Sequence, residues 1–290
     1  MRSGGSNQAA GLSLAAQPVK VIAITGGKGG VGKTNVAANL GTALCRLGRQ
    51  VLLLDADLGL ANVDVVLGLR ARLNLEHVVA GECALDDVIV TAPSGLKIVP
   101  ASSGNAAMAN LGPTVHGGLI QAFSELLKPL DVLLIDTAAG LSESVLTFSE
   151  AAQRITVVVC DEPAALTDAY GLIKALRRRQ PSARLDVVAN MVEGEAHGRA
   201  LHDKLVRVTE RFLGFAPGYQ GAIPRDDYLR RAVQRQTAVV DGFPNSASAR
   251  AFMKLAQAID AWRPPCAPRG GLEFFVERLL QGPGRIGQAG

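Results

Sequence analysis

Residues 26–34 read Gly-Gly-Lys-Gly-Gly-Val-Gly-Lys-Thr and follow directly on the β-branched run Val21 to Thr25. From Gly27 to Thr34 the stretch fits G-x-x-x-x-G-K-[ST]. In that pattern a strand runs into a glycine-rich turn whose backbone N–H groups face phosphate oxygens at the start of a helix. Glycine is needed because a Cβ would block the conformations and close approaches of such a turn. The expected cradle is Gly27, Lys28, Gly29, Gly30, Val31, Gly32, Lys33, Thr34 and Asn35, with Lys33 reaching the terminal phosphates and the Thr34 hydroxyl ligating Mg²⁺. Lys28 is a second lysine inside a loop already rich in donors.

Three carboxylates stand where such a site needs them. Asp55 and Asp57 follow the run Val51 to Leu54, and in open α/β sheets ligands collect at the carboxyl ends of strands. Asp136 ends Val132-Leu-Leu-Ile, an apolar run closed by an acid, which delivers a carboxylate to the water shell of a phosphate-bound Mg²⁺. Asn190 follows Asp186 to Ala189 and offers an amide that can pair with an adenine edge or serve a turn.

The rest of the chain repeats the strand–helix alternation. Runs at 21–25, 51–54, 97–99, 132–135, 155–160 and 186–189 are apolar on consecutive positions, as strands covered on both faces must be. Apolar positions three or four apart predict helices at about 33–48, 114–127, 143–152, 165–179, 198–213 and 246–262. The fold class expected is α/β, a doubly wound and mainly parallel sheet with helices on both faces.

At 290 residues, 48% apolar, the chain can bury a large core, which excludes disorder over most of its length. No uncharged apolar run approaches the ~20 residues of a membrane-spanning helix. The first 18 residues are too weakly apolar for a secretory segment and are expected to be a flexible tail, placing the protein in the cytoplasm. Its four cysteines lie far apart with no C-x-x-C, against both a disulfide framework and a bridged iron–sulfur cluster. Domains are expected at 1–18 (tail), 19–262 (P-loop body), 263–271 (Pro/Gly linker), 272–281 (amphipathic helix) and 282–290 (tail). In the helix, Leu272, Phe275, Val276 and Leu279 form one apolar stripe, with Phe274 and Leu280 beside it, suiting a weak membrane anchor that needs two copies.

The loop K-G-G-x-G-K-[ST], with its extra Lys28, resembles the deviant Walker A box of the MinD/ParA ATPases, and the likeness runs from about Pro18 to Leu280. It is nearest the branch of flagellar number regulators, FlhG/FleN, on GGKGGVGKTNVAANL at 26–40, LLLDADLGLANVDVVLGL at 52–69, DTAAGLSESV at 136–145, VVVCDEPAALTDAYGLIK at 157–174 and RGGLEFFVERL at 269–279. The resemblance implies a slow, Mg²⁺-dependent ATPase that binds ATP or ADP and dimerises on ATP, with Lys28 touching the partner subunit's nucleotide. It implies Asp57 as the residue orienting the attacking water, Asp55 and Asp136 in the Mg²⁺ shell, Gly140 as a switch pivot, and Asn190 with the Ile223-Pro224-Arg225-Asp226 loop around the base. The partners it implies are a σ54-type flagellar master transcription activator (FleQ-like), an FlhF-like GTPase, flagellar switch proteins and the cytoplasmic face of the inner membrane, touched reversibly.

Asn7 to Ser13 resembles that branch's N-terminal D-Q-A-x-x-L-R stretch, with Asn for Asp and Ser for Arg. A ParA-type partitioning or MinD-type division-site role is the alternative. Direct DNA binding is not expected, because few aromatics stand near Arg177–Arg179 or Arg225–Arg235 to stack on bases.

Overall fold

The computed structural model describes residues 19–57, 62–101 and 130–263. Eight strands form one sheet in the order β3-β4-β2-β5-β1-β6-β7-β8. The strands are β1 (Lys20–Gly26), β2 (Val51–Ala56), β3 (Val90–Thr91), β4 (Lys97–Val99), β5 (Val132–Ala139), β6 (Arg154–Val159), β7 (Leu185–Val192) and β8 (Gly218–Pro224). All neighbours pair in parallel except β3 with β4.

The consecutive apolar positions of the strands are divided between two layers. Ile22, Ile24, Leu53 and Leu134 join a core with α1 (Lys33–Arg46) and the helix Ala247–Ala261. Val21, Ala23, Leu52, Leu54 and Leu133 face the opposite side, where Phe148 of the helix Glu143–Ala151 and the short helices Leu75–Val79 and Leu85–Val88 cover them. Ile155, Val157 and Val159 pack under the helix Pro163–Arg179. Both faces are dry, which is why the strands show no alternation.

In chain order the helices are α1, α2 (Val63–Val66), α3 (Leu75–Val79), α4 (Leu85–Val88), α5 (Glu143–Ala151), α6 (Pro163–Arg179), α7 (Glu195–Leu213), α8 (Asp227–Gln234), α9 (Val239–Gly242) and α10 (Ala247–Ala261). From β1 the chain crosses β5 to reach β2, and after β5 it passes to β6 on the other side. The crevice for a ligand therefore opens beside the carboxyl end of β1. At the other end of the sheet Lys20 donates to the carbonyls of Ile259 (3.1 Å) and Asp260 (2.6 Å). There too the buried Arg154–Asp186 pair closes to 2.6 Å.

The structure corrects the expected strand ends. Asp55 and Asp136 do not follow their strands but lie inside β2 and β5, in register with one another, and Asn190 lies inside β7. β8, β3 and helices α2, α3, α4, α8 and α9 had no counterpart in the sequence reading. The expected helix at 114–127, both tails, the linker from 264 and the amphipathic residues Leu272, Phe274, Phe275, Val276, Leu279 and Leu280 lie outside the described residues. Among those described, no helix is long and apolar enough to cross a membrane.

Candidate nucleotide site

The glycine-rich loop turns from β1 into α1 through Gly32, which caps the helix at φ 91° in the left-handed region that favours glycine. Gly27 is required for a different reason. A Cβ there would stand 2.3 Å from the carbonyl of Asp168, so α6 presses directly on the loop. Gly140, φ 97°, donates its N–H to the Gly26 carbonyl (3.1 Å) and ties the segment after β5 to the same loop.

The two lysines take opposite positions. Lys33 is buried, and desolvation lowers its pKa against the pull of Asp136 and Asp57. Lys28 lies on the solvent rim, where its ammonium donates to Glu162 at 2.6 Å, a bond that raises its pKa. Glu162 opens α6, and nothing in the sequence marked it as this lysine's partner.

Asp55 and Asp136 are adjacent buried carboxylates. Burial pushes Asp136 up to about 8, its bond with Thr34 and Lys33's charge notwithstanding, and Asp55 adds to the rise. Asp55 is pushed to about 6, again chiefly by burial. Asp136 Oδ1 has no partner, whereas both Asp55 oxygens accept backbone N–H groups, from Asp57 (3.0 Å), Asn62 (3.0 Å) and Val63 (3.3 Å). Asp55 thus fastens the backbone at Asp57, Asn62 and Val63. Two buried acids beside a Thr hydroxyl, one with an oxygen that accepts no hydrogen bond, are the donor set of a hard divalent cation, so these residues fit Mg²⁺.

The base-side residues are partly engaged elsewhere. The Asp226 carboxylate caps α8 through Tyr228 N–H (2.9 Å) and accepts from Ser248 N–H (2.9 Å) and Oγ (2.8 Å). Burial would raise its pKa, but these bonds outweigh it and the net shift is downward. Pro224 ends β8 opposite Val192. Asn190 is 3% exposed and donates through Nδ2 to the Val31 carbonyl at 2.8 Å. Asn35 lies in the first turn of α1, its Oδ1 buried without a partner. The sequence reading missed Met191, a non-glycine residue at φ 58° lying against Gly32. Only its position after Asn190 could have pointed to it.

A ParA family model described as NUBPL iron-transfer P-loop NTPase matches residues 17–260. The chain belongs to this family of ParA/MinD-like P-loop NTPases. It is 56% identical to the antiactivator FleN of Pseudomonas aeruginosa, covering 92% of this chain and 95% of that protein. The flagellum site-determining protein YlxH of Helicobacter pylori is 33% identical over 90% of each. Among solved structures, the septum site-determining protein MinD of Pyrococcus horikoshii complexed with Mg-ADP is 28% identical. It superposes with a TM-score of 0.68 over 84% of this chain and 96% of its own. The expected MinD-like P-loop fold and the FlhG/FleN likeness are thereby established.

Proposed function

We propose that this P-loop NTPase is an ATP-driven switch that limits flagellar number. In this reading ATP closes two copies face to face, and the dimer restrains a σ54-type flagellar master activator (FleQ-like). It works with an FlhF-like GTPase at the cytoplasmic face of the membrane, which residues 272–281 touch, and hydrolysis to ADP resets it. The flagellar part rests on the likeness to the antiactivator FleN.

The observation that carries the dimer is the division of labour between the lysines. Lys33 is buried beside Asp136, while Lys28 stands half-exposed at the rim, paired with Glu162 of its own chain. Beside the loop, Leu141 next to Gly140 and Met191 against Gly32 are 52 and 41% exposed, apolar surface on the edge that bears the nucleotide loop. A second copy laid on this edge covers that surface and receives Lys28 as a cation supplied in trans.

Hydrolysis forms a bond from the water oxygen to the γ-phosphorus and breaks the bridging bond to ADP; phosphate leaves with the water's oxygen. The chain's residues position and neutralise more than they react. Asp57, whose backbone N–H is held by Asp55, orients the water. Lys33 and the loop N–H groups hold the phosphates, and Asn190, Pro224 and Asp226 border the base. Thr34, Asp55 and Asp136 would hold Mg²⁺, which supplies neutralisation of the phosphate charge.

The test is size-exclusion of Asp57→Ala with ATP against ADP, repeated with liposomes and after deletion of residues 271–290. A dimer with ATP alone, bound to liposomes only when 271–290 are present, is expected. A chain that stays monomeric with ATP refutes the switch.

A further inference from the structure

Asn190 sits 159 residues from Val31 in sequence, yet its amide is aimed into the phosphate loop. The strand is irregular at this point. β7 slips register against β8 between Asn190 and Val192, and Met191 between them holds φ 58°, which costs a side-chain-bearing residue strain. The slip is where Asn190 and Met191 meet Gly32. An ideal Cβ on Gly32 would lie 2.4 Å from Asn190 Nδ2 and 3.4 Å from Met191 Cε. Asn190 is 3% exposed and its Oδ1 has no partner.

The amide therefore has two separable halves. The donor half is committed to Val31, in the middle of the loop; the acceptor half is buried without a partner. We propose that Asn190 is a positioning residue for the phosphate loop, so that binding of any phosphate chain depends on it, whether or not a base is attached. The idea rests on the reading of residues 27–34 as a phosphate site. Physically, the Val31 side chain is anchored in the core, but its carbonyl lies between Gly30 and Gly32 at φ 81° and 91°, where no side chain restrains the backbone. One short buried bond across to β7 holds the loop in the left-handed turn at Gly32 and keeps its N–H groups converged before the ligand arrives. A residue that only read the base would leave base-free ligands unaffected.

The experiment measures calorimetric Kd values of the full-length protein for ADP and for inorganic pyrophosphate. Asn190→Ala should weaken both by a similar factor, about tenfold for a lost buried bond. Asn190→Asp supplies a readout that general loosening would not give. Relative to wild type at each pH, its pyrophosphate affinity should recover as pH falls and the new carboxyl gains a proton to donate to Val31. Should Asn190→Ala fold poorly, the wild-type protein still decides. Pyrophosphate alone should shift the NMR signal of the Asn190 side-chain amide, and an unmoved signal overturns the proposal. Loss of ADP affinity with pyrophosphate unchanged overturns it too, leaving the nucleotide reading intact. Wild-type protein that binds neither ligand overturns that reading itself.

Discussion

Asp136→Asn should make the nucleotide-free protein more stable while weakening its hold on Mg²⁺. The Asp136 carboxyl is fully buried and its pKa rises from 3.8 to about 8. At pH 7 the unfolded chain carries it ionised and the folded chain carries it protonated, so folding takes up a proton against the solution. The roughly 3 pH units between 3.8 and 7, at about 1.4 kcal/mol each, come to ~4 kcal/mol. Because the folded value is raised, the stability from this group is complete below about pH 4 and is lost progressively as pH climbs to about 8. Asparagine has the shape of the protonated acid and escapes that loss. In urea titrations without nucleotide and with chelator, the midpoint of Asp136→Asn should exceed wild type at pH 7. The gap should widen by about 1.4 kcal/mol per unit from pH 5 to 8. Adding Mg-ADP should reverse the order, because the variant loses an anionic ligand and holds the cation more weakly. A gap that ignores pH, or a less stable variant throughout, would refute the electrostatic argument.

Lys33→Ala should abolish nucleotide binding in calorimetry, whereas Asp57→Ala should bind ATP and not turn it over; wild-type turnover in the latter discards its role. Gly27→Ala brings a methyl to 2.3 Å from the Asp168 carbonyl, so α6 must move. A loss of about 2 kcal/mol or more in thermal or urea unfolding is expected. Asp55→Ala leaves three N–H groups without their acceptor. Hydrogen exchange at Asn62 and Val63 should quicken, with about 2–4 kcal/mol of stability lost.

The phosphate loop was legible in full because its signal is local: a strand, a fixed glycine pattern and a helix within a dozen residues. The central strands were legible for the same reason, each being a short run of Val, Leu and Ile. β8 was not, since Gly-Tyr-Gln-Gly-Ala-Ile-Pro carries two glycines and a proline and is a strand only by pairing with β7. α8 was read as a cluster of arginines, because its start depends on Asp226 capping it, and that aspartate was assigned to the base pocket.

Contacts across the fold stayed hidden. Glu162 lies 134 residues from Lys28, and no periodicity relates Asn190 to Val31. The resemblance points Asp55 to the cation alone, yet its oxygens also fasten the backbone at Asp57, Asn62 and Val63. Local spacing revealed which chemistry gathers at the sheet edge; only the packed structure revealed which bonds hold it there.

The central claim is that Lys28 works in the neighbouring subunit's site, and mixing two inactive variants tests it directly. Lys28→Ala and Asp57→Ala should each be silent alone. In their heterodimer one site keeps its own Asp57 and receives Lys28 from the other subunit. With random pairing about a quarter of wild-type ATP turnover should return. A mixture as silent as its components would mean that Lys28 serves its own loop, and the exchange between subunits would be contradicted.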